Sequence, residues 1–242
     1  MPEIADLKNV HKGERCFVFG TGPSVNDCNL EKILDEPIFA VNKFYMHPLW
    51  EKFKKVYYVD ISGVSWLGGT YNQWKLEKVL KNKNALYFFQ NTHRSLHELY
   101  NIFPEDKRYY INLFQRKKVF NGDYIWDLTI GSAFANTGVI EGAMAIAQWM
   151  GFKDIYILGC DSTSYFDENN KLKDDLYFFD WKLLPEQYWT PPTKDNLTDS
   201  DRMVNSWKNL YRLFKEKGIN IYNLAKKSEG ISFIPRVNFD EL

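Results

Sequence analysis

The sequence predicts an α/β fold with a mainly parallel sheet, and three observations carry that expectation. Short apolar runs, rich in β-branched and aromatic residues, recur along the chain and alternate with helix-like stretches. Residues 137–159 place a helix, a short turn and a β-branched strand in succession, which is half of a βαβ unit. The first apolar run leads directly into a glycine-bearing turn, at the end of a strand where such sheets meet ligands.

Each element has a local reason. RCFVFG (15–20) reads as a buried strand and is followed by the turn residues Thr21, Gly22, Pro23 and Ser24. PIFAVN (37–42) and KKVYYVD (54–60) are the second and third strands, the third ending on Asp60. TYNQWKLEKVLKNK (70–83) reads as a surface helix, NALYFF (84–89) as a fourth strand and KRYYIN (107–112) as a fifth. From Thr137 to Met150 the apolar positions Val139, Ala143, Ile146, Ala147 and Met150 share one helical face. Gly151 stops that helix, and DIYILG (154–159) is the next strand. Residues 161–200 break the alternation: they are acidic, aromatic and carry Pro185, Pro191 and Pro192. A long irregular segment in a compact domain is usually functional, and its rings predict an ordered lid over a substrate. Met203, Trp207, Leu210, Tyr211 and Phe214 then line one face of a helix over 200–217, Gly218 ends it, and INIYNL (219–224) is the last strand. The expectation is a single Rossmann-like domain over 1–242, with helices on both faces of the sheet and an irregular aromatic lid or substrate segment at about 161–200.

Aromatic residues make up 17% of the chain, which a bulky core explains for the most part and ring-stacking surface for the rest. Lys plus Arg and Asp plus Glu each number 31, so the net charge is zero. A nucleic-acid-binding domain is normally basic, and no nucleic-acid partner is expected. The zero is a cancellation. Residues 43–118 hold 14 basic against 6 acidic side chains, residues 160–201 hold 4 against 10, and residues 202–242 hold 8 against 4. A basic half facing an acidic loop suits a cleft for an anionic ligand. Cys16, Cys28 and Cys160, with no CxxC, form neither a disulfide framework nor a zinc site, and they point to a reducing compartment. The polar start MPEIADLKNVHKGER has no signal-peptide core, and no apolar run approaches the roughly 20 residues that span a bilayer. The expected location is cytoplasmic, with peripheral contact at the inner face of the membrane left open.

The chemistry-bearing residues gather where predicted strands end. Gly20 and Gly22 allow a tight turn whose amides, from Gly20 to Ser24, can cradle a phosphate or a nucleotide edge. It is not a Walker loop, because no Gly-Lys-Ser/Thr follows, and Val25 stands where a dinucleotide fingerprint has its third glycine. Asn42 can donate and accept, which suits a base or a ribose; Asp60 can accept from ribose hydroxyls or hold a metal. Turn and cap roles compete for both. Gly131 and Ser132, with Asn136, Thr137 and Gly138, open the alanine-rich helix, where amides and dipole favour an anion; simple capping competes. Asp161 is another acid following a strand. His93 and His97 stand four apart, but HRSLH lacks the glutamate of a zinc-peptidase helix, and surface positions are expected for both. No Ser/His/Asp set and no Gly-x-Ser-x-Gly elbow is visible.

Taken together, ERCFVFGTGPSVNDCNLEKILDEPIFAVNKFY, YYVD, MGFKDIYILGCD and INIYNLAKKSEGISFIPRVNFDEL resemble bacterial MptE-like 6-hydroxymethylpterin diphosphokinase domains, over most of residues 13–242. Many such proteins are thought to belong to surface-polysaccharide pathways. The same segments are similar, more distantly, to bacterial sialyltransferases of glycosyltransferase family 42. Their GNGPS turn, CNQFYF segment and TSG helix start correspond here to Gly20 to Ser24, Asn42 to Tyr45, and Thr137 with Gly138. In that family the matching positions contact the CMP part of CMP-sialic acid. Motif and resemblance together make Gly20, Thr21, Gly22, Pro23, Ser24, Asn42, Asp60, Ser132, Asn136, Thr137 and Gly138 the expected nucleotide contacts.

Two departures matter. The sialyltransferases have asparagine where Asp60 falls, whereas the MptE-like pattern has aspartate. They also use a histidine base before the last helix. The nearest counterpart here is Tyr177, Phe178 and Phe179, and no histidine follows His97. A general base needs a group in reach with a suitable pKa, and Asp161, Asp180, Glu186 and Tyr188 are the candidates. Tyr165 and Trp189 are expected to stack on sugar, while Arg116 to Lys118 and the Thr137 helix start stabilise a leaving phosphate. The implied function is transfer from a nucleotide-activated sugar, a CMP-linked acidic sugar above all, to a glycan or lipid-linked acceptor, with no cofactor required. The alternative is a diphosphokinase moving pyrophosphate from ATP to a pterin alcohol, with Mg²⁺ on Asp60 and Asp161. A non-catalytic nucleotide-binding protein is the third reading, and self-association stays open.

Overall fold

The computed structural model describes residues 2–61, 69–112, 127–131, 138–161, 175–184, 200–227 and 231–242. Strands β1 (Arg15–Phe19), β2 (Pro37–Val41), β3 (Lys55–Asp60), β4 (Ala85–Gln90), β5 (Arg108–Ile111), β6 (Asp154–Leu158) and β7 (Asn220–Asn223) form one sheet in the order β5-β4-β3-β2-β1-β6-β7. Every pairing is parallel. The chain builds outward from β1 to β5, then returns to lay β6 on the other side of β1. Arg15 lies opposite Asp154 and Phe19 opposite Leu158, so β1 and β6 end level. In open parallel sheets the point where the strand order reverses, beyond the carboxyl ends of the strands, is where ligands bind.

Both faces of the sheet are covered, which is why the strands read as continuous apolar runs. Side chains alternate between faces with period two. Cys16, Val18, Phe39, Val41, Val59 and Ile157 point to one core, under α3 (Val139–Trp149) and α4 (Ser200–Glu216). Phe17, Phe19, Ile38, Ala40, Tyr58 and Phe89 point to the other, which α1 (Gly69–Val79) covers through Val79. On that same face α2 (Arg94–Tyr100) sets His97 edge-on to Phe89. Among the described residues more buried aromatic rings belong to this second core than to the first. Phe19 stacks on Phe44 with ring centres 4.8 Å apart, and Phe103 meets Tyr87 and Phe89 at 4.8 and 4.6 Å.

α3 departs from the single apolar face expected of it. Glu141 to Ala147 and Trp149 are all buried. The sheet takes one side, and α4 takes another, with Ser206 donating to Glu141 Oε1 at 2.8 Å. A helix covered nearly all round has no polar stripe to read. The C-terminal segment pairs beside β7: Asn223 donates its N–H to Pro235 O at 2.8 Å and accepts from Val237 N–H at 3.1 Å, and Phe239 is buried. No described helix is long and apolar enough to cross a membrane.

Candidate functional site

The turn after β1 is built by backbone approach. A Cβ on Gly20 would stand 2.2 Å from Gly159 O, and one on Gly22 would stand 2.0 Å from Asp161 Oδ2. Only glycine lets the chain after β1 lie against the chain after β6. Four hydrogen bonds close the seam. Gly20 N–H donates to Leu158 O at 2.8 Å, Gly22 N–H to Gly159 O at 2.9 Å, Ser24 N–H to Asp161 Oδ2 at 3.1 Å, and Gly159 N–H to Ser24 Oγ at 3.0 Å. The amides of Gly20, Gly22 and Ser24 therefore brace β6 rather than standing open to a phosphate. Pro23 has no N–H, and Thr21 N–H is the amide of this turn without a protein partner among the described residues. Val25, where a third glycine was missed, is buried against Gly159.

Asp161 is 5% exposed, and burial raises its pKa; hydrogen bonds from Ser24 oppose the rise, and the nearby Asp27 adds to it. Burial, and then Asp161, pushes the Cys160 thiol up to about 12, so it carries no thiolate chemistry near neutral pH. The base of the aromatic segment is tied to the same seam. Phe178 N–H donates to Thr21 O at 3.1 Å, and Asn26 Nδ2 donates to Phe178 O at 2.9 Å. The Phe178 ring packs on Phe44 and His47. Asp180 is exposed, and its carboxylate accepts from Lys182 N–H at 2.9 Å as the cap of a 3₁₀ turn at Trp181–Leu183. Local capping accounts for it.

The ends of β2 and β3 carry charge. Asn42 is exposed in the left-handed region, at φ 52°, which asparagine tolerates better than most residues. Its carbonyl accepts from Tyr58 Oη at 2.8 Å. Lys43 follows, partly buried, with Nζ 5.9 Å from the centre of the Tyr177 ring. Asp60 is 2% exposed, and Lys75 Nζ of α1 sits 2.6 Å from its Oδ2. Asp60 thus already holds a cation from its own chain.

His93 and His97 correct the expectation of surface histidines: they are 7% and 1% exposed. The 3₁₀ turn Asn91–His93 comes straight off β4 and turns α2 back over Phe89 and Phe103, so the face bearing both rings is the inner one. Burial, then His93 and Arg108, brings the His97 pKa down to about 4.

Gly138, just before α3, has φ 123° and ψ −168°, a combination essentially confined to glycine. Ser132, Asn136, Thr137, Tyr165, Glu186, Tyr188, Trp189 and Arg116 to Lys118 lie outside the described residues. The structure thus joins Gly20, Gly22, Ser24 and Asp161 in one seam, with Asn42 and Asp60 ending neighbouring strands on the same edge of the sheet. Sequence reasoning missed Lys43, Lys75 and the brace from Phe178. The signal for Lys43 was a lone lysine inside the run VNKFY. Among the described residues no three His, Cys, Asp or Glu side chains gather as a metal-ligand group.

No family model matches the chain, and no curated protein matches it in sequence. Solved structures match it in fold. The sialyltransferase CstII from Campylobacter jejuni, in complex with cytidine-5'-monophosphate, aligns with a TM-score of 0.54 at 20% identity, over 94% of this chain and 86% of that one. The sialyltransferase CST-II in complex with a trisaccharide acceptor and CMP aligns at 0.54 and 18% identity, over 93% and 86%. The monofunctional alpha-2,3-sialyltransferase Cst-I from Campylobacter jejuni aligns at 0.54 and 20%, over 94% and 82%. At this identity the likeness establishes the shared α/β fold.

Proposed function

We propose that this chain is a glycosyltransferase that takes a nucleotide-activated sugar, with a CMP-linked acidic sugar as donor and a glycan or lipid-linked glycan as acceptor, working at the cytoplasmic side of the membrane. One observation carries the reading. The GxGPS turn is locked to Gly159–Asp161 at the point where the strand order reverses, in a fold whose solved neighbours include complexes with CMP.

In this reading the acceptor hydroxyl attacks the anomeric carbon. The bond from that carbon to the phosphate oxygen breaks, and CMP leaves with the electron pair. The hydroxyl proton passes to a base. Among the described residues Asp161 has the best claim, because it follows β6 beside the glycine turn and burial raises its pKa above the ordinary carboxylate value. Tyr188 remains a candidate, and Asp180 serves as a cap. Thr21 N–H, Asn42 and the helix start at Ser132, Asn136, Thr137 and Gly138 bind the nucleotide, and Tyr165 and Trp189 stack on the sugar. The MptE-like resemblance fits the same seam. Pyrophosphate transfer is less well supported, because Asp60, which it would place on Mg²⁺, is already paired with Lys75.

A thermal-shift comparison of CMP, CDP, UDP, GDP and ATP, each with and without Mg²⁺, tests the reading. A ligand of the native state at 100 times its Kd adds about 2.7 kcal/mol of stability. CMP raising the melting temperature without metal is the expected outcome. A shift confined to ATP with Mg²⁺, or none with any cytidine nucleotide, overturns it.

A further inference from the structure

Lys43 stands at the carboxyl end of β2, directly after left-handed Asn42. Its ammonium lies 5.9 Å from the centre of the Tyr177 ring and is coupled electrostatically to Lys75 and Asp60. Phe178, the next residue, donates its N–H to Thr21 O of the glycine turn, so one short segment contacts both the turn and Lys43. The charges do not balance. Among the described residues Asp60 is the carboxylate coupled to Lys43, and Lys75 already holds it at 2.6 Å. Among the described residues no carboxylate pairs with Lys43. His93, which is coupled to the same Asp60 and Lys75, has its pKa lowered by burial. A partly buried ammonium that shares its carboxylate with a second lysine is costly, and burial followed by the charge of Lys75 lowers its pKa, with Asp60 opposing.

We infer that Lys43 is the anion receptor of this site: its ammonium takes an oxygen of the phosphate or carboxylate of the donor, and it sets the preference for a charged donor over a neutral nucleoside. The inference rests on the nucleotide-sugar reading above. The sialyltransferase motif CNQFYF has glutamine at this place, which can hydrogen-bond but carries no charge. The lysine is thus a feature of this chain that a shared fold does not supply.

Calorimetry on the full chain with cytidine, CMP and CMP-sialic acid, for wild type, Lys43→Gln and Lys43→Arg, tests it. Lys43→Gln is expected to weaken CMP by roughly 10- to 100-fold while leaving cytidine unchanged, and Lys43→Arg to restore most of the loss. If the lysine meets the sugar carboxylate, CMP is unaffected and CMP-sialic acid alone loses that factor. Equal affinity of wild type and Lys43→Gln for both charged ligands overturns the inference and leaves the nucleotide-sugar reading standing. A variant that melts lower and loses cytidine, CMP and CMP-sialic acid alike has lost packing, which also overturns it. Wild type that binds no cytidine ligand sinks the broader reading. Lys43 is then judged by methyl-lysine NMR against inorganic phosphate and pyrophosphate, its resonance identified by its loss in Lys43→Arg. A rise in its pKa with either anion supports the receptor, and an unmoved pKa overturns it.

Discussion

The carboxyl edge of the sheet is built in two ways. At the β1–β6 seam, backbone meets backbone. Gly20, Gly22 and Gly159 remove side chains so that two turns can touch, and the amides of these glycines and of Ser24, with the Ser24 hydroxyl, are answered by partners. On the β3–β4 flank, charged and polar side chains are buried instead. Asp60 and Lys75 pair there, and Arg108 Nη1 donates to His97 O and Phe103 O at 3.1 and 3.0 Å. Yet His93 Nδ1, both ring nitrogens of His97, Arg108 Nε and Tyr110 Oη are buried without a hydrogen-bond partner among the described residues. Unanswered buried polar atoms cost stability. The contrast teaches that the seam fixes position through sterics, while the flank holds charge at an energetic cost. Substitutions should fail by different physics in the two places.

The largest expected effect tests the flank. Lys75→Met leaves Asp60 buried without its cation and should cost about 3–5 kcal/mol in urea unfolding. Adding Asp60→Asn should recover most of that. A single variant as stable as wild type would mean that charge does not organise the flank.

The next tests the seam. Gly20→Ala drives a methyl into Gly159 O, and backbone cannot yield as a side chain does, so a loss of about 3 kcal/mol is expected. Gly142→Ala is the control. It meets the Ile61 side chain alone, closest at the Cδ1 tip, which can swing aside, and should cost about 1 kcal/mol. Equal losses would erase the distinction between backbone and side-chain obstruction.

Acid then sharpens the flank. The His97 pKa of about 4 lies below the roughly 6.5 of an unfolded histidine, so the unfolded chain takes up the proton first. The stabilising contribution is whole above about pH 6.5 and drains away as pH falls toward 4. About 2 kcal/mol should be lost from this group between pH 7 and 4.5. His97→Phe should abolish that part of the slope and cost little at neutral pH, because Phe89, Phe103 and Tyr110 already surround the ring. An unchanged slope in the variant would assign the acid loss elsewhere; His47, also lowered to about 4, is the next group to replace.

The smallest effect returns to the seam. Ser24→Ala removes the acceptor of Gly159 N–H and should cost about 1 kcal/mol by calorimetric melting. It also takes a donor from Asp161, whose pKa should rise further by NMR titration. If the Asp161 pKa falls or stays still, Ser24 is not what opposes the rise caused by burial.

The strands and the helices α1, α3 and α4 were legible because their causes are local. Apolar runs, a 3.6-residue period and stop glycines at 151 and 218 lie within a few residues of what they specify. α2 was legible only as the four-residue spacing of two histidines. Its burial depends on Phe103 and Tyr110, which come later in the chain. The second covered side of α3 was hidden for a similar reason: Ser206 and the rest of α4 arrive some sixty residues downstream. The glycine turn was visible as a turn, but its purpose was misread. Open amides for a phosphate were expected, and most of them are spent on β6.

By itself the sequence determined where the chain extends, where it coils and where it turns. It also determined which residues could carry chemistry, and it showed that the neutral total conceals a basic half and an acidic loop. Those properties follow from side-chain volume, backbone freedom and charge, which each residue brings with it. Only the tertiary structure decided that Ser24 meets Asp161 across 137 residues, that Lys75 claims Asp60, and that Lys43 stands beside them without a carboxylate of its own among the described residues. Pairing and burial are properties of the space between elements, and the crossover that sets β6 beside β1 creates that space.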